Sequence, residues 1–271
     1  TVRDGNQVYE FAAYAMNYSL WHPIAYGVIQ QRVDTQGGHF KVTNTMGAHQ
    51  LTLAYLPSLG TTKGTSHAPN VNGWVTGNPV SDYTQKSANH TVFVEDKYRI
   101  TDKTTWVVAL QYDKAHRQVS DVASAANNYD HAFNQWSPRM GVVHDITPQQ
   151  QIFASVSRNF EAPIHGLAGS TTLATQAQSG TTYEMGTRGQ ANHGKSDYGW
   201  DATYYRANLN NEFLSACVVP GCLAPTTTNV PRTMHQGVEL GLRHLYDRQI
   251  DSRMALLYSD FKFVDSVHYG F

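Results

Sequence analysis

Between Trp136 and Pro163 the chain reads WSPRMGVVHDITPQQQIFASVSRNFEAP, and its side chains change character at every second position. Trp136, Met140, Val142 and Ile146 fall on one face of an extended chain, while Gln135, Ser137, Arg139, Gly141 and Asp145 fall on the other. Ile152, Ala154, Val156 and Phe160 then repeat the apolar face, opposed by Ser155, Ser157, Asn159 and Glu161. A period of two is that of a strand with one apolar side. Asp145, Ile146, Thr147 and Pro148 make the turn, where a proline's fixed φ and missing donor do no harm. The apolar runs start or end in aromatic residues and the opposite face is charged, as in a barrel that shows hydrocarbon outside and polar groups to its lumen.

Composition narrows the choice. The 271 residues are 41% hydrophobic, enough to bury a core as one or two soluble domains, yet only 15% are charged. Mean hydropathy is -0.44, and glycine (21) and tyrosine (16) are abundant. Low charge without high hydrophobicity suits an alternating barrel better than a charged globular surface. A net charge of -1 carries no nucleic-acid signal. There is no apolar run of about 18 residues, so transmembrane helices are excluded, but strands cross a bilayer in about 9 to 11 residues. The opening TVRDGNQVYEFAAY has neither the charged nor the apolar region of a signal peptide. The sequence is therefore expected to be a mature chain or a fragment.

In chain order, Val8 to Leu20 reads as a strand stopped at Trp21-His22-Pro23, with no clear register through residues 1–38, and Ile29 to Val33 is too short to assign. HFKVTNT, a turn near Met46-Gly47-Ala48 and HQLTLAYL make a hairpin. Residues 57–85 are rich in Gly, Thr, Ser, Asn and Pro and read as a loop, too long for a compact soluble domain but suited to one end of a membrane barrel. NHTVFVEDKYRI and TTWVVALQYDKAHR alternate again, broken by Asp96. Loops are expected at 118–131, 162–179 and 215–230. The strands between and after them are TTYEMGTRGQ, YGWDATYYRANLNNEFL, HQGVELGLRHLY and IDSRMALLYSDFKF.

Short turns fall near 47, 102, 147, 193 and 247, and long loops near 70, 125, 170 and 222, in strict alternation. An antiparallel meander of about eleven or twelve strands thus has short turns on one rim and long loops on the other, the asymmetry of outer-membrane barrels. A soluble up-and-down barrel or a propeller is the competing all-β reading, and no repeated blade signature is present.

The stretch WSPRMGVVHDITPQQQIFASVSRNFEAP, followed by TTYEMGTRGQ, WDATYYRANLNNEFLS and RTMHQGVELGLR, and preceded by FVEDKYRITDKTTWVVALQYD, resembles the TonB-dependent outer-membrane receptors of the siderophore-receptor type. The resemblance runs from about His39 to Phe271. It implies a barrel of about 22 strands that imports a scarce ligand, such as a ferric siderophore, haem or cobalamin, with energy from TonB. It also implies an N-terminal plug domain, which is not seen in this sequence. Residues 1–271 are accordingly expected to be one partial-barrel domain, truncated at both ends, from a monomer of the bacterial outer membrane. The C-terminal alternation of Phe263, Val267, Tyr269 and Phe271 leaves open a complete small barrel.

Receptors of this kind grip ligands with loop aromatics and arginines, which points to Trp74, Tyr83, Arg117 and Tyr129. His131 and His165 lie on the same rim, as does His67, with His116 near it, and could contact a metal chelate. Solvated rim histidines and loop packing are the plainer readings. Trp106, Trp136, Tyr183, Trp200 and Tyr246 suit an interfacial aromatic girdle. The lumenal charges Arg139, Glu184, Arg188, Glu239 and Arg243 are expected to pair with one another or to hold the plug. Cys217 and Cys222 flank a Pro-Gly turn in an external, oxidising loop, where a local disulfide is expected. Two cysteines alone make a poor zinc site. No cofactor, metal site or catalytic constellation is apparent. The expectation is therefore a non-enzymatic receptor segment, with a passive porin or small structural barrel as one rival and a soluble carbohydrate-binding or hydrolytic all-β protein as the other.

Overall fold

A strand presents alternate faces and leaves its edges hungry for partners, so a chain of strands joined by tight turns pairs each strand with the next. The computed structural model describes residues 1–24, 27–69, 76–163, 175–216 and 226–265. Its strands are β1 (Val2–Asp4), β2 (Gln7–Ile24), β3 (Gly27–Met46), β4 (His49–Pro69), β5 (Thr76–Arg99), β6 (Thr104–Asp121), β7 (Tyr129–Thr147), β8 (Gln150–Glu161), β9 (Gln178–His193), β10 (Ser196–Ala216), β11 (Thr226–Tyr246) and β12 (Ile250–Phe263). They form one antiparallel sheet in sequence order, a pure up-and-down meander. Among the described residues β1 and β12 each have a single partner.

The short turns share one rim. Gly47 and Gly194 take left-handed φ values of 58° and 61° there, as tight hairpins require. Each turn is also tied to a neighbour: Arg99 N donates to Ala48 O, Asp145 N to Lys103 O, and Gln190 N to Gln149 O.

Register fixes the two faces. One row runs Tyr98, Trp106, Val142, Ala154, Met185, Tyr204, Val238, Tyr258 across eight consecutive strands. Nothing among the described residues covers it: Trp106 is 47% exposed, Met185 57% and, on an adjoining row, Trp136 58%. The opposite face carries Ser155, Glu184, Tyr205, Gly237 and Ser259 in one row and is the more enclosed; along β6, Ala109, Asp113, Ala115, Arg117 and Asp121 are buried while Trp106, Val108 and Leu110 are exposed. The sheet therefore curls toward its polar side. The carboxylate that interrupts the apolar face, Asp96, lies 2.7 Å from His49 Nδ1, and His49 stacks on Tyr98 at 4.4 Å. That pairing shields a charge the hydrocarbon would penalise.

Three expectations need correction. Residues 57–85 are mostly strand, since β4 reaches Pro69 and β5 starts at Thr76, and the loops expected at 118–131 and 215–230 shrink in the same way. Beyond the bilayer both faces are polar, so alternation vanishes while the backbone ladder continues. At the N-terminal end β2 runs through Pro23 to Ile24, and β3 takes in residues 29–33. Phe160, placed on the lipid face by parity, packs against the lumenal cluster of Ala115, Phe133 and Ala162. β8 separates from β7 beyond Ser157, which frees its end to turn inward.

Several glycines let an aromatic ring lie flat on the sheet. A Cβ on Gly237 would sit 2.3 Å from Tyr258 O and 2.8 Å from Tyr205 Oη. Gly237→Val is expected to destabilise the sheet by about 1–3 kcal/mol, seen as a lower urea midpoint in detergent; an unchanged midpoint would refute the close-packing account. In vesicles with brominated acyl chains, emission from Trp106 and Trp136 should be strongly quenched. Emission indifferent to bromine would place these rings away from lipid.

Candidate functional site at the long-loop rim

The enclosed face narrows to a polar and aromatic cluster where β5, β6 and β7 rise toward the long connections. Tyr83, Arg117, Tyr129 and His131 all reach this face, because Tyr83 pairs with Asp121 while Arg117 and Val119 pair with His131 and Tyr129. Trp74 and His165, and the expected disulfide partners Cys217 and Cys222, lie outside the described residues.

The four are not equivalent. Tyr83 is 3% exposed, lies over Gly64 and accepts a 2.6 Å hydrogen bond from Gln31 Nε2. Arg117, 7% exposed, acts as a strut. Its Nε donates to Pro163 O at 2.7 Å and its Nη1 to Asn89 Oδ1 at 2.9 Å and His116 O at 3.0 Å. It thus fastens the segment after β8 across the inside of β6. His131 is exposed and stacks between Tyr129 (6.1 Å) and Phe133 (4.7 Å, edge-on). Tyr129 packs on the same apolar cluster, and its hydroxyl is buried without a hydrogen-bond partner among the described residues.

Asp121 organises the rim and was not singled out from the sequence. Its carboxylate accepts from Ser81 Oγ (2.6 Å), Asn127 Nδ2 (2.8 Å) and the backbone N–H groups of Asp82, Ala123 and Ser124. This closes residues 122–128, with their single 3-10 turn Ala125–Asn127, against β5. An aspartate opening a run of Ser and Asn is the available signal, since such side chains bond their own backbone two residues on.

Arg139, Glu184, Arg188, Glu239 and Arg243 lie on the face opposite the apolar row, but none of the five pairs with another among the described residues. Arg188 donates to Gln151 Oε1 at 2.5 Å and lies 5.6 Å over the Phe153 ring. Glu184 accepts from Ser155, and Arg243 forks onto Asp251 at 3.0 and 3.2 Å. Short local partners win because neighbouring strands bring Gln151, Ser155 and Asp251 closer than any opposite lumenal charge. No three His, Cys, Asp or Glu side chains converge as a metal site among the described residues.

An open antiparallel meander with an uncovered apolar face, an enclosed polar face and one rim of short turns is the wall of a transmembrane β-barrel. The family described as TonB dependent receptor-like, beta-barrel, matches residues 3–269, and the chain belongs to it. Among solved structures, the ferric citrate transporter FecA in its unliganded form has a TM-score of 0.72 at 13% identity, covering 97% of this chain and 41% of its own. The copper transporter OprC gives 0.69 at 17% identity (95% and 43%). The ferric yersiniabactin uptake receptor FyuA from Yersinia pestis gives 0.66 at 14% identity (96% and 41%). At such identities the likeness is one of fold, and the chain spans about two-fifths of the length of these structures. No curated protein matches the sequence.

Tyr129→Phe removes a buried hydroxyl with no hydrogen-bond partner among the described residues, so it should leave stability unchanged or raise it by up to about 1 kcal/mol. A loss of that size in urea unfolding would show that the hydroxyl has a partner. Arg117→Ala should release the strut, and amide exchange at Ala162 should accelerate at least tenfold while the centre of β6 keeps its protection.

Proposed function

We propose that residues 1–271 form one segment of a larger outer-membrane barrel, part of a receptor that imports a scarce ligand such as a ferric siderophore with energy from TonB. The observation that carries this reading is the pairing of an uncovered apolar face with an enclosed polar face that ends in the Tyr129, His131 and Phe133 cluster. Rings that offer flat faces beside an imidazole suit a bulky, partly aromatic chelate better than a small ion. Tyr83 and Arg117 support that wall from behind, while Tyr129 and His131 meet the ligand. The solved structures it resembles are transporters and receptors, which favours uptake over catalysis. The two single-partnered edge strands would be closed by further strands of the same receptor, because lipid leaves unpaired backbone unsatisfied. A plug domain would occupy the lumen against Arg139 and Glu239, and the receptor would act as a monomer in the bacterial outer membrane.

A strain deleted for the gene should lose growth on at least one ferric siderophore from a panel of citrate, hydroxamate and catecholate chelates. Deletion of TonB should cause the same loss, and His131→Ala should weaken uptake of that chelate about tenfold, with the receptor still present in the membrane. Uptake that survives loss of TonB would indicate a passive pore instead.

A further inference from the structure

Charge is sorted by face in the half of the sheet nearest the long connections. On the enclosed face Lys41, Lys97, Arg99, Arg188, Arg243 and Arg253 stand close to the short turns, and Arg139 lies level with the last rung between β7 and β8. Above that level Arg117 is the only lysine or arginine on this face among the described residues, and it is buried with its donors given to Pro163, Asn89 and His116. The others at this height, Arg32, Lys63, Lys114 and Arg206 among them, fall on the outer face. The connecting residues 70–75, 122–128, 164–174 and 217–225 contain no lysine, arginine, aspartate or glutamate. A ligand arriving from the long-loop side therefore meets no free guanidinium or ammonium among the described residues of this wall.

Carboxylates remain on the enclosed side, and all but one are occupied. Asp113 accepts from Thr91 Oγ1 at 2.7 Å and Gln111 Nε2 at 2.8 Å. Asp121 is saturated by the contacts that close residues 122–128. Glu212 accepts from Thr233 Oγ1 and lies 3.1 Å from His235 Nε2. Glu161 is exposed and has no hydrogen bond or ion pair among the described residues. Its neighbours Phe160 and Ala162 both pack toward Phe133, so the alternation of a strand aims Glu161 the other way, into the lumen. Arg117 holds Pro163 two residues on, which fixes this free carboxylate at the edge of the cluster that contains Tyr129 and Phe133.

We infer that the ligand met by this wall carries no net negative charge: it is a ferric chelate whose ligating groups balance the metal's charge or leave it positive, with Glu161 accepting from its N–H or ammonium groups. This rests on the receptor function proposed above. Hydroxamates, singly charged, balance a ferric ion, whereas doubly charged catecholates and the carboxylates of citrate exceed it. An anionic chelate would leave water for a face that has no free cation to receive it and has Glu161 to repel it. A neutral or cationic one meets no such penalty. A lumen of one sign draws positive charge inward, the ring faces of Tyr129 and Phe133 favour a cation further, and any aromatic part of the ligand that stacks there is an uncharged one.

The test is equilibrium binding to the full-length receptor in detergent, at low and high salt, of a neutral ferric trihydroxamate, a ferric trihydroxamate bearing a free amine, a ferric tris-catecholate and ferric citrate. Both hydroxamates should bind about tenfold or more tightly than either anionic probe. Glu161→Gln should weaken the amine-bearing probe about threefold, flatten its salt dependence and leave the neutral probe unchanged. Glu161→Lys should lose the amine-bearing probe and gain affinity for the catecholate. Asp130→Asn, the same change of charge on the outer face, should alter none of these. Tightest binding of an anionic probe by the unmutated receptor overturns the inference, as does an equal loss of every probe in Glu161→Gln. Binding of none of the probes overturns the receptor reading itself, and this inference with it.

Discussion

Backbone N–H and C=O groups find no partners in hydrocarbon, so a chain that shows an apolar face to lipid must satisfy its ladder strand to strand. That requirement underlies every other feature here. It forces the meander, since tight turns at one rim deliver each strand to the edge of the last. It also leaves the side chains free to differ completely between faces, because cohesion within the sheet comes from the backbone and not from a shared apolar core. The described residues contain few buried hydrophobic side chains, and several of those, such as Tyr83, Ala115 and Phe133, lie on the lumenal side near the long loops. Such a sheet is stable where lipid covers one face.

The faces were legible in the sequence wherever one side meets lipid. The alternation of Trp106, Val108 and Leu110 with buried partners, and that of Val142 with Arg139 and Gly141, is imposed by a solvent boundary and so leaves a compositional trace. Above the bilayer the same ladder passes between two polar media. Residues such as Thr61, Thr62, Thr84 and Gln85 then pair across β4 and β5 without any contrast to betray them, and a run of Gly, Ser and Thr reads as loop. Phe160 shows another limit. Parity assigns a side only while a strand stays with its neighbour, and β8 leaves β7 at Ser157.

The rim residues chosen by type, Tyr83, Arg117, Tyr129 and His131, do share a face, yet their tasks were not readable from type alone. Arg117 spends its donors on Pro163, Asn89 and its own neighbourhood, contacts between residues 28 to 46 positions apart in sequence or adjacent on the strand. A lone aspartate beside a polar loop is common, so type alone does not set Asp121 apart. Its five acceptor contacts emerge only when β5 and the following turn converge on it.

One consequence follows from how far the strands outgrow the membrane. β5 has 24 residues, where about 9 to 11 suffice to cross, and its register with β4 holds from His49 to Ser66 before it slips. Inserting one residue anywhere along that length would turn every side chain beyond it inside out. Length can therefore drift freely only past the last rung, and a lineage adapting to a new cargo would reshape the hairpin summits while the stave beneath keeps its parity.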